Sequence, residues 1–498
     1  MAGKQWDVVI VGAGFGGLAC GVLLASEGKR VLLLEREDRL GGRATSLKGE
    51  ELSLPYFENL LKRTGNEWIV RTEPDISEIV DKRLLKGYTV DLGFHEYVYH
   101  ENGRVGILLK SLGEAVKFYP LQENYYWFDN KWCGMKPPKI EFIPDDLIPE
   151  FGKVAKGIMK MSPKDTAQFD HVSIKDFIEE RTDKKRIQDF WYLLATLVTT
   201  INHPEDISAG ETIRSSNPVG YTGGHAGSGN GGSVEGGFIT VANKLAKIIK
   251  NWGGEVRTRA EVKRIIVEDG KAKGVEVSTP TGEETIYSKT VVSNVPIQKV
   301  FKILDEKAFP SNWVKHVKGL RSAGSATGYI ALNRRVLKNK GWCGVMELIP
   351  EGEGFRGAVR CIFEGLSNYD PTRAPAEKQL VTFYAPLTQE EANNKKKVNK
   401  VIDSLNDFLD ERFPEYHESI DWAIYTSLEY LDGVARSPNQ VGDKRPEIKA
   451  PGVEGLYFVG DGVRSWGVPM DAAVHSGFIA AGMIANKDFL QMLPEYLR

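Results

Sequence analysis

The apolar positions open with two short unbroken runs, Val8-Val9-Ile10-Val11 and Val31-Leu32-Leu33-Leu34. Each lacks alternation and is too short for a helix, which predicts strands buried on both faces. Between them the chain reads Gly12-Ala13-Gly14-Phe15-Gly16-Gly17 and continues without a charge to residue 25, which predicts a turn opening a buried helix. Further on the period changes. Leu147, Phe151, Val154, Ile158 and Met161 recur at helical spacing within 144–161, with Lys153, Lys156 and Lys160 elsewhere on the wheel. Helical patterns continue over 174–180, 186–199 and 239–250. Residues 50–85, around Tyr56-Phe57-Glu58-Asn59-Leu60-Leu61, read as a charged helical insert. Residues 255–258, 260–267 and 274–277 predict a strand and a β-meander turning at Asp269-Gly270, and 290–296 a strand returning to the core. In the aromatic stretch 118–137, Asp129-Asn130 between Phe128 and Trp132 predicts a hairpin. Lys395-Lys396-Lys397 reads as the solvated start of a helix.

The first βαβ pattern carries chemistry. In G-x-G-x-x-G, Gly12 permits the tight turn, Gly14 lets backbone approach a diphosphate, and Gly17 lets the helix pack on the strand. Phe15 and Gly16 complete the loop at a helix N-terminus whose free N–H groups and positive dipole end suit phosphate. Glu35 closes the second strand where a carboxylate accepts hydrogen bonds from a ribose, with Arg36 beside it. A second glycine pair follows in Arg39-Leu40-Gly41-Gly42-Arg43, where Arg43 offers a forked donor to a pyrophosphate or stands in an exposed basic turn.

Composition narrows the class. The chain has 498 residues, 41% hydrophobic and 27% charged, an ordinary globular balance with room for more than one core. A net charge of −2 argues against general nucleic-acid binding. Four scattered cysteines, Cys20, Cys133, Cys343 and Cys361, form no C-x-x-C pair, so neither a metal site nor a disulfide framework is expected, and reduced thiols in a cytoplasm-like compartment are. The uncharged run at 8–25 is broken by five glycines and ends in a cofactor-type βαβ, so it is read neither as a signal peptide nor as a membrane span.

Near the other end, Gly455-Leu456-Tyr457-Phe458-Val459-Gly460-Asp461 is an apolar strand closing in Gly-Asp, and a Gly467-Val468-Pro469 loop opens a small-residue helix through Met470 and Ala473. Taken in order, G-x-G-x-x-G, an acid, R-x-G-G-R-x-x-S and this C-terminal motif resemble the phytoene desaturase and flavin amine oxidase superfamily. The resemblance implies an α/β, Rossmann-like FAD-binding domain (a GR2-type flavoprotein) and a discontinuous α+β substrate domain with an antiparallel sheet and helices. The implied segments are 1–96, 233–296 and 441–498 for FAD, the first carrying the insert 50–85, and 97–232 and 297–440 for substrate. The implied cofactor is FAD, bound non-covalently because the C-terminal motif has no cysteine. Val262 would touch the adenine through its backbone, Asp461 the ribityl or pyrophosphate region, and the helix from Met470 would aim its positive end at the flavin pyrimidine ring. His95, at the end of the strand Tyr88–His95 beside the flavin, and Trp466, as part of an aromatic cage, are the candidates for chemistry. His225 and His475 are not assigned a role.

The implied reaction is hydride transfer between a C–H bond of a small apolar substrate, isoprenoid, polyene or otherwise unsaturated, and flavin N5, with oxygen, a quinone or a redox protein as electron acceptor. A flavin amine oxidase and an isomerase or saturase of the same family are the alternatives. A prenyl-binding GDP dissociation inhibitor shares the fold, but Glu35, Arg43 and Asp461 argue against it. The lysine-bearing helix at 144–161 suits either a peripheral membrane contact or, preferred, a surface helix of the substrate domain. Residues 215–237, crowded with glycine, read as a lid or as backbone lying against a ligand.

Overall fold

A computed structural model describes residues 6–51, 53, 55–57, 59–60, 66–93, 96–97, 99–121, 124–134, 140–221, 231–338 and 342–498. The opening pattern folds as its hydrophobicity requires. β1 (Val8–Val11) and β2 (Val31–Leu34) run parallel, Val8 opposite Val31 and Val11 opposite Leu34, and all eight side chains are buried. Between them α1 (Phe15–Ser26) is buried from Phe15 to Ala25. It is packed on by α2 (Phe238–Asn251), which leads into β3 (Glu255–Arg257). β4 (Val291–Ser293) and β5 (Leu456–Phe458) complete a five-stranded parallel sheet in the order β3-β2-β1-β4-β5. The last helix, α3 (Pro469–Ala485), crosses α1 closely because Gly477 has no Cβ, which would stand 2.6 Å from the Gly16 carbonyl. Three stretches far apart in sequence thus build one doubly wound domain.

The antiparallel meander follows β3 as Glu261–Glu268, Lys271–Thr279 and Gly282–Tyr287. Its Asp269-Gly270 turn has φ of 50° and 69°, and the Asp129-Asn130 turn has 49° and 56°, so both hairpins close with left-handed residues as predicted.

The second core is an eight-stranded sheet. Its order is Asn66–Glu73, Ile420–Leu428, Gly324–Leu332, Gln379–Leu387, Val359–Glu364, Trp342–Ile349, Tyr125–Phe128 and Lys131–Gly134, antiparallel except where Trp342–Ile349 meets Tyr125–Phe128. Alternation assigns its faces. Cys343, Val345, Cys361, Phe363, Val381 and Phe383 pack beneath helix Lys395–Arg412, which is capped by Asn394. Tyr126, Tyr329, Trp342, Tyr384 and Trp422 join the opposite core with helices Ile174–Glu179 and Lys185–Thr199.

Two sequence expectations change. The insert 50–85 is not helical throughout: 55–57, 59–60 and Ile76–Asp81 are, but Asn66–Glu73 is the edge strand beside Ile420–Leu428. Its Trp-Ile-Val-Arg-Thr run is rich in aromatic and β-branched residues, and a neighbouring strand with open hydrogen-bonding groups decides the conformation. In 215–237, helix Ala209–Tyr221 extends further than the glycine content suggests, with the Thr212 and Ser216 hydroxyls bonded one turn back along it. Gly232–Val234 then pairs with Phe118–Pro120. Residues 222–230, including His225, lie outside the described residues.

Candidate functional site

The site begins where β1 runs into α1. Gly12, at φ +96°, donates to the Leu34 carbonyl at 2.7 Å, folding the loop back over β2. A Cβ on Gly17 would stand 2.4 Å from the Gly12 carbonyl, so glycine there is what lets helix and strand meet. The second loop locks onto the first: Gly41 donates to the Ala13 carbonyl at 2.9 Å, and Gly42, at φ +62°, would bring a Cβ to 3.4 Å from the Gly14 Cα. Gly16 faces the C-terminal motif, since a Cβ on it would be 3.0 Å from both the Gly460 nitrogen and the Ala473 carbonyl. Phe15 is buried edge-on against Phe238.

Asn294, one residue past β4, stands at the centre of this cradle. Its Oδ1 accepts from the Gly17 N–H at 3.0 Å, and its amide nitrogen would be 2.3 Å from a Cβ on Gly14. Sequence reading passed over it; the available signal was a polar residue at the carboxyl end of a central parallel strand, where such sheets bind ligands. Glu35 is buried and accepts from the Ala13 N–H at 2.7 Å and the Glu37 N–H at 3.0 Å. Burial raises its carboxyl above the usual range, and those backbone donors temper the rise. Arg36 is half-exposed and pairs with Glu37 at 3.0 Å. Val262 is buried opposite Val277 in the meander.

Arg43 and Asp461 are joined across the chain, Nη2 to Oδ1 at 2.7 Å, and Asp461 also accepts from the Gly433 N–H at 2.6 Å. Burial raises the Asp461 carboxyl, but Arg43, the Gly433 N–H, Arg436 and Arg445 together hold it below the usual range. Met470 and Ala473 lie in the first turns of α3, whose N-terminus has no side-chain cap. Beside them Asp471 is buried against fully buried Arg104, which also donates to the Leu497 carbonyl at 2.7 and 3.0 Å. The Trp466 ring lies 4.0 Å beneath the Arg104 guanidinium, and its N–H donates to the Arg498 carbonyl at 3.2 Å. His475 is buried within α3, held well below its ordinary pKa by burial and then by Arg104 and Arg214, so its imidazole is neutral. His95 lies outside the described residues.

This donor set fits a dinucleotide. A helix N-terminus uncapped by any side chain, two glycine loops with Cα atoms exposed to a close neighbour, one arginine and a buried acid at the end of β2 suit a diphosphate and a ribose. No group of three or more metal-ligating side chains comes together among the described residues. A doubly wound cofactor domain interleaved with a sheet-based second domain defines the two-domain flavoenzyme class.

The comparisons agree. Residues 15–485 match the family model for flavin-containing amine oxidoreductases, and the chain belongs to that family. The neurosporene-forming phytoene desaturase of Rhodobacter capsulatus is 24% identical, over 96% of this chain and 94% of that protein. The flavin-containing amine oxidase A of Equus caballus is 23% identical, over 99% and 89%. Among solved structures, an oxidoreductase from Methanosarcina mazei superposes with a TM-score of 0.69 at 18% identity, covering 94% of this chain and 98% of that one. Cyclohexylamine oxidase from Brevibacterium oxydans gives 0.62 at 15%, covering 97% and 99%. The chain is an FAD-dependent oxidoreductase of the superfamily that its motifs indicate.

Proposed function

We propose that the enzyme oxidises a C–H bond of a small apolar substrate, isoprenoid, polyene or otherwise unsaturated, in the manner of a desaturase. The observation that carries this reading is the aromatic face of the eight-stranded sheet. Tyr126, Tyr329, Trp342, Tyr384 and Trp422 stand on it together, with Tyr126 and Trp342 edge-to-face at 5.4 Å. The end of strand Thr89–Asp91 is tied to it by Gly93, whose N–H donates to the Tyr329 hydroxyl at 2.6 Å. Asp91 in turn accepts from Ser46, at 2.5 Å, just past the second glycine loop, so the aromatic face and the cofactor cradle share one run of chain. The likeness to phytoene desaturase over nearly the whole chain supports the reading.

FAD supplies the two-electron acceptor for the hydride. The protein's residues do the rest. Gly12–Gly17, Gly41, Gly42, Arg43 and Asn294 would hold the diphosphate, and Glu35 the ribose. Val262 would touch the adenine through its backbone, and Gly460, Asp461 and the start of α3 at Met470 and Ala473 would hold the flavin half. His95, which the sequence motif singles out, is the proposed reactive side chain. Trp466, with Arg104 on one side of its ring, is the proposed aromatic-cage residue. The aromatic face orients the substrate and excludes water. Oxygen, a quinone or a redox protein takes the electrons onward.

Anaerobic bleaching of the flavin tests the assignment, against isoprenoid polyenes, quinones, unsaturated acyl compounds and amines. Polyenes should bleach it; bleaching by amines alone overturns the substrate class. No described helix is long and apolar enough to cross a membrane. A peripheral contact is proposed through helix Ile148–Met159, which buries Val154 and Ile158 but exposes Ile148, Met159, Lys153 and Lys156. Flotation with anionic vesicles should fall when both lysines become glutamate, and flotation unchanged by the substitution counts against the contact.

A further inference from the structure

One polar feature interrupts the aromatic face. Glu364 ends strand Val359–Glu364 and is almost fully buried, with Trp342 opposite it on one neighbouring strand and Thr382 on the other. The Tyr369 hydroxyl donates to its Oε2, and the Thr382 hydroxyl to its Oε1 at 3.2 Å. Glu96, three residues past Gly93, where the chain is fastened to Tyr329, lies near enough for its carboxyl to interact with that of Glu364. It approaches so closely that a Cβ on Gly231 would lie 2.1 Å from its Oε2. Its Oε1 is buried without a hydrogen-bond partner among the described residues.

The charge count is unequal. The guanidinium that reaches Glu364 is that of Arg373, itself fully buried. Arg373 is already engaged, pairing with Asp91 at 2.9 Å and Asp370 at 2.8 Å and donating to Ser233. Its Nη1 has no hydrogen-bond partner among the described residues. One cation therefore serves three carboxyl groups, Asp91, Asp370 and Glu364, while the charged group that acts on Glu96 is Glu364, and Tyr126, Tyr369 and Tyr384 complete the surroundings as neutral phenols. Two carboxylates without a cation of their own cannot both ionise in such a place.

We propose that Glu96 and Glu364 are a carboxyl pair sharing one proton, and that Glu364 accepts the proton released when the substrate is oxidised. Electrostatics agree: burial and then Glu364 push the Glu96 carboxyl well above the usual carboxylate range, and burial pushes Glu364 up to about 7, so near neutrality it is poised to take a proton. The step balances. One C–H bond breaks with its electron pair, passed as hydride to the bound FAD. The adjacent C–H bond leaves its pair behind to form the C=C bond and its proton on the Glu364 carboxylate, which becomes a neutral acid. The two electrons then go to the oxidising acceptor, and both protons, the one carried by the hydride and the one held on Glu364, go to that acceptor or to solvent. The role of Glu364 rests on the desaturase reading above; the shared proton does not.

Two measurements on the flavin-loaded enzyme separate them. In infrared difference spectra between pH 9 and pH 6, a protonated-carboxyl carbonyl band should grow in, and Glu364→Gln should abolish it. A band that survives in that variant overturns the pair. In anaerobic bleaching by the polyene that bleaches wild type fastest, Glu364→Gln should slow flavin reduction by about 10²–10⁴-fold. Glu364→Asp should restore part of the rate, and dithionite should reduce both variants as it does wild type. Wild-type bleaching rates in Glu364→Gln overturn the proton-accepting role while leaving the desaturase reading in place. An enzyme that no polyene bleaches overturns that reading and the role together, even if the infrared band behaves as expected.

Discussion

Gly14→Ala separates two reasons why position 14 is glycine. Gly14 has φ −70° and ψ 170°, which any residue adopts, so the backbone does not demand glycine. Space does. A Cβ there meets the Asn294 amide at 2.3 Å, roughly 1 Å inside ordinary contact, but that amide ends a side chain and can rotate away. Rotation breaks the bond from the Gly17 N–H to Asn294 Oδ1, worth about 1 kcal/mol. In a protein this size that lowers Tm by about 2 °C. If protein packing were the whole reason, Gly14→Ala would cost that much, and adding Asn294→Ala would remove the clash. If Gly14 is kept bare so that a diphosphate can reach the backbone, the double variant should melt where Asn294→Ala alone does but not regain its cofactor. FAD affinity, followed by flavin fluorescence on titration of apoprotein, should then fall at least tenfold, about 1.4 kcal/mol, in Gly14→Ala and stay down in Gly14→Ala/Asn294→Ala. A double variant that binds FAD as tightly as Asn294→Ala alone would refute the phosphate-approach argument for this loop.

Three other outcomes follow from the same structure. Arg104→Met leaves Asp471 buried without its cation and frees the Leu497 carbonyl, so it should destabilise by about 3–5 kcal/mol; Arg104→Met/Asp471→Leu, measured by denaturant titration, should be the milder of the two. Because the folded Glu364 carboxyl is raised from 4.5 to about 7, the folded state holds more proton than the unfolded chain between those values. Its contribution to stability therefore declines as pH rises through that window, by at most about 3 kcal/mol, and Glu364→Gln should gain on wild type in Tm between pH 5 and pH 8. All four cysteines are buried, in α1 and in the large sheet, so acid precipitation should release the flavin into a yellow supernatant; flavin remaining on the pellet would contradict non-covalent binding.

The cofactor cradle was legible because its parts are local. Six residues make the Gly12–Gly17 loop and three the Gly41–Arg43 loop, and in each the turn, the positive φ or the helix N-terminus is a property of the short stretch itself. Asn294 was not legible, because an asparagine after a strand acquires its role only from the missing Cβ atoms of Gly14 and Gly16, far away in sequence. Strand Asn66–Glu73 was masked by its charges; what makes it a strand is Ile420–Leu428, brought beside it by the fold. The buried charges show the same limit more sharply. A net charge of −2 is silent about them. Yet Arg43–Asp461 and Arg104–Asp471 each tie the C-terminal segment to an early one, while Arg214–Asp170 and Arg436–Asp432 neutralise charge inside the second domain. In each pair a guanidinium faces the aspartate, which is what permits burial, although Arg214 also reaches Glu211 at 3.4 Å. Glu96 and Glu364 depart from that pattern. They meet inside an aromatic face, on chain segments that sequence alone does not bring together, and the nearby guanidinium is already engaged by Asp91 and Asp370. A fold that gives each of these four aspartates a guanidinium has reason to leave this pair unmatched, and a site that must take up a proton supplies one.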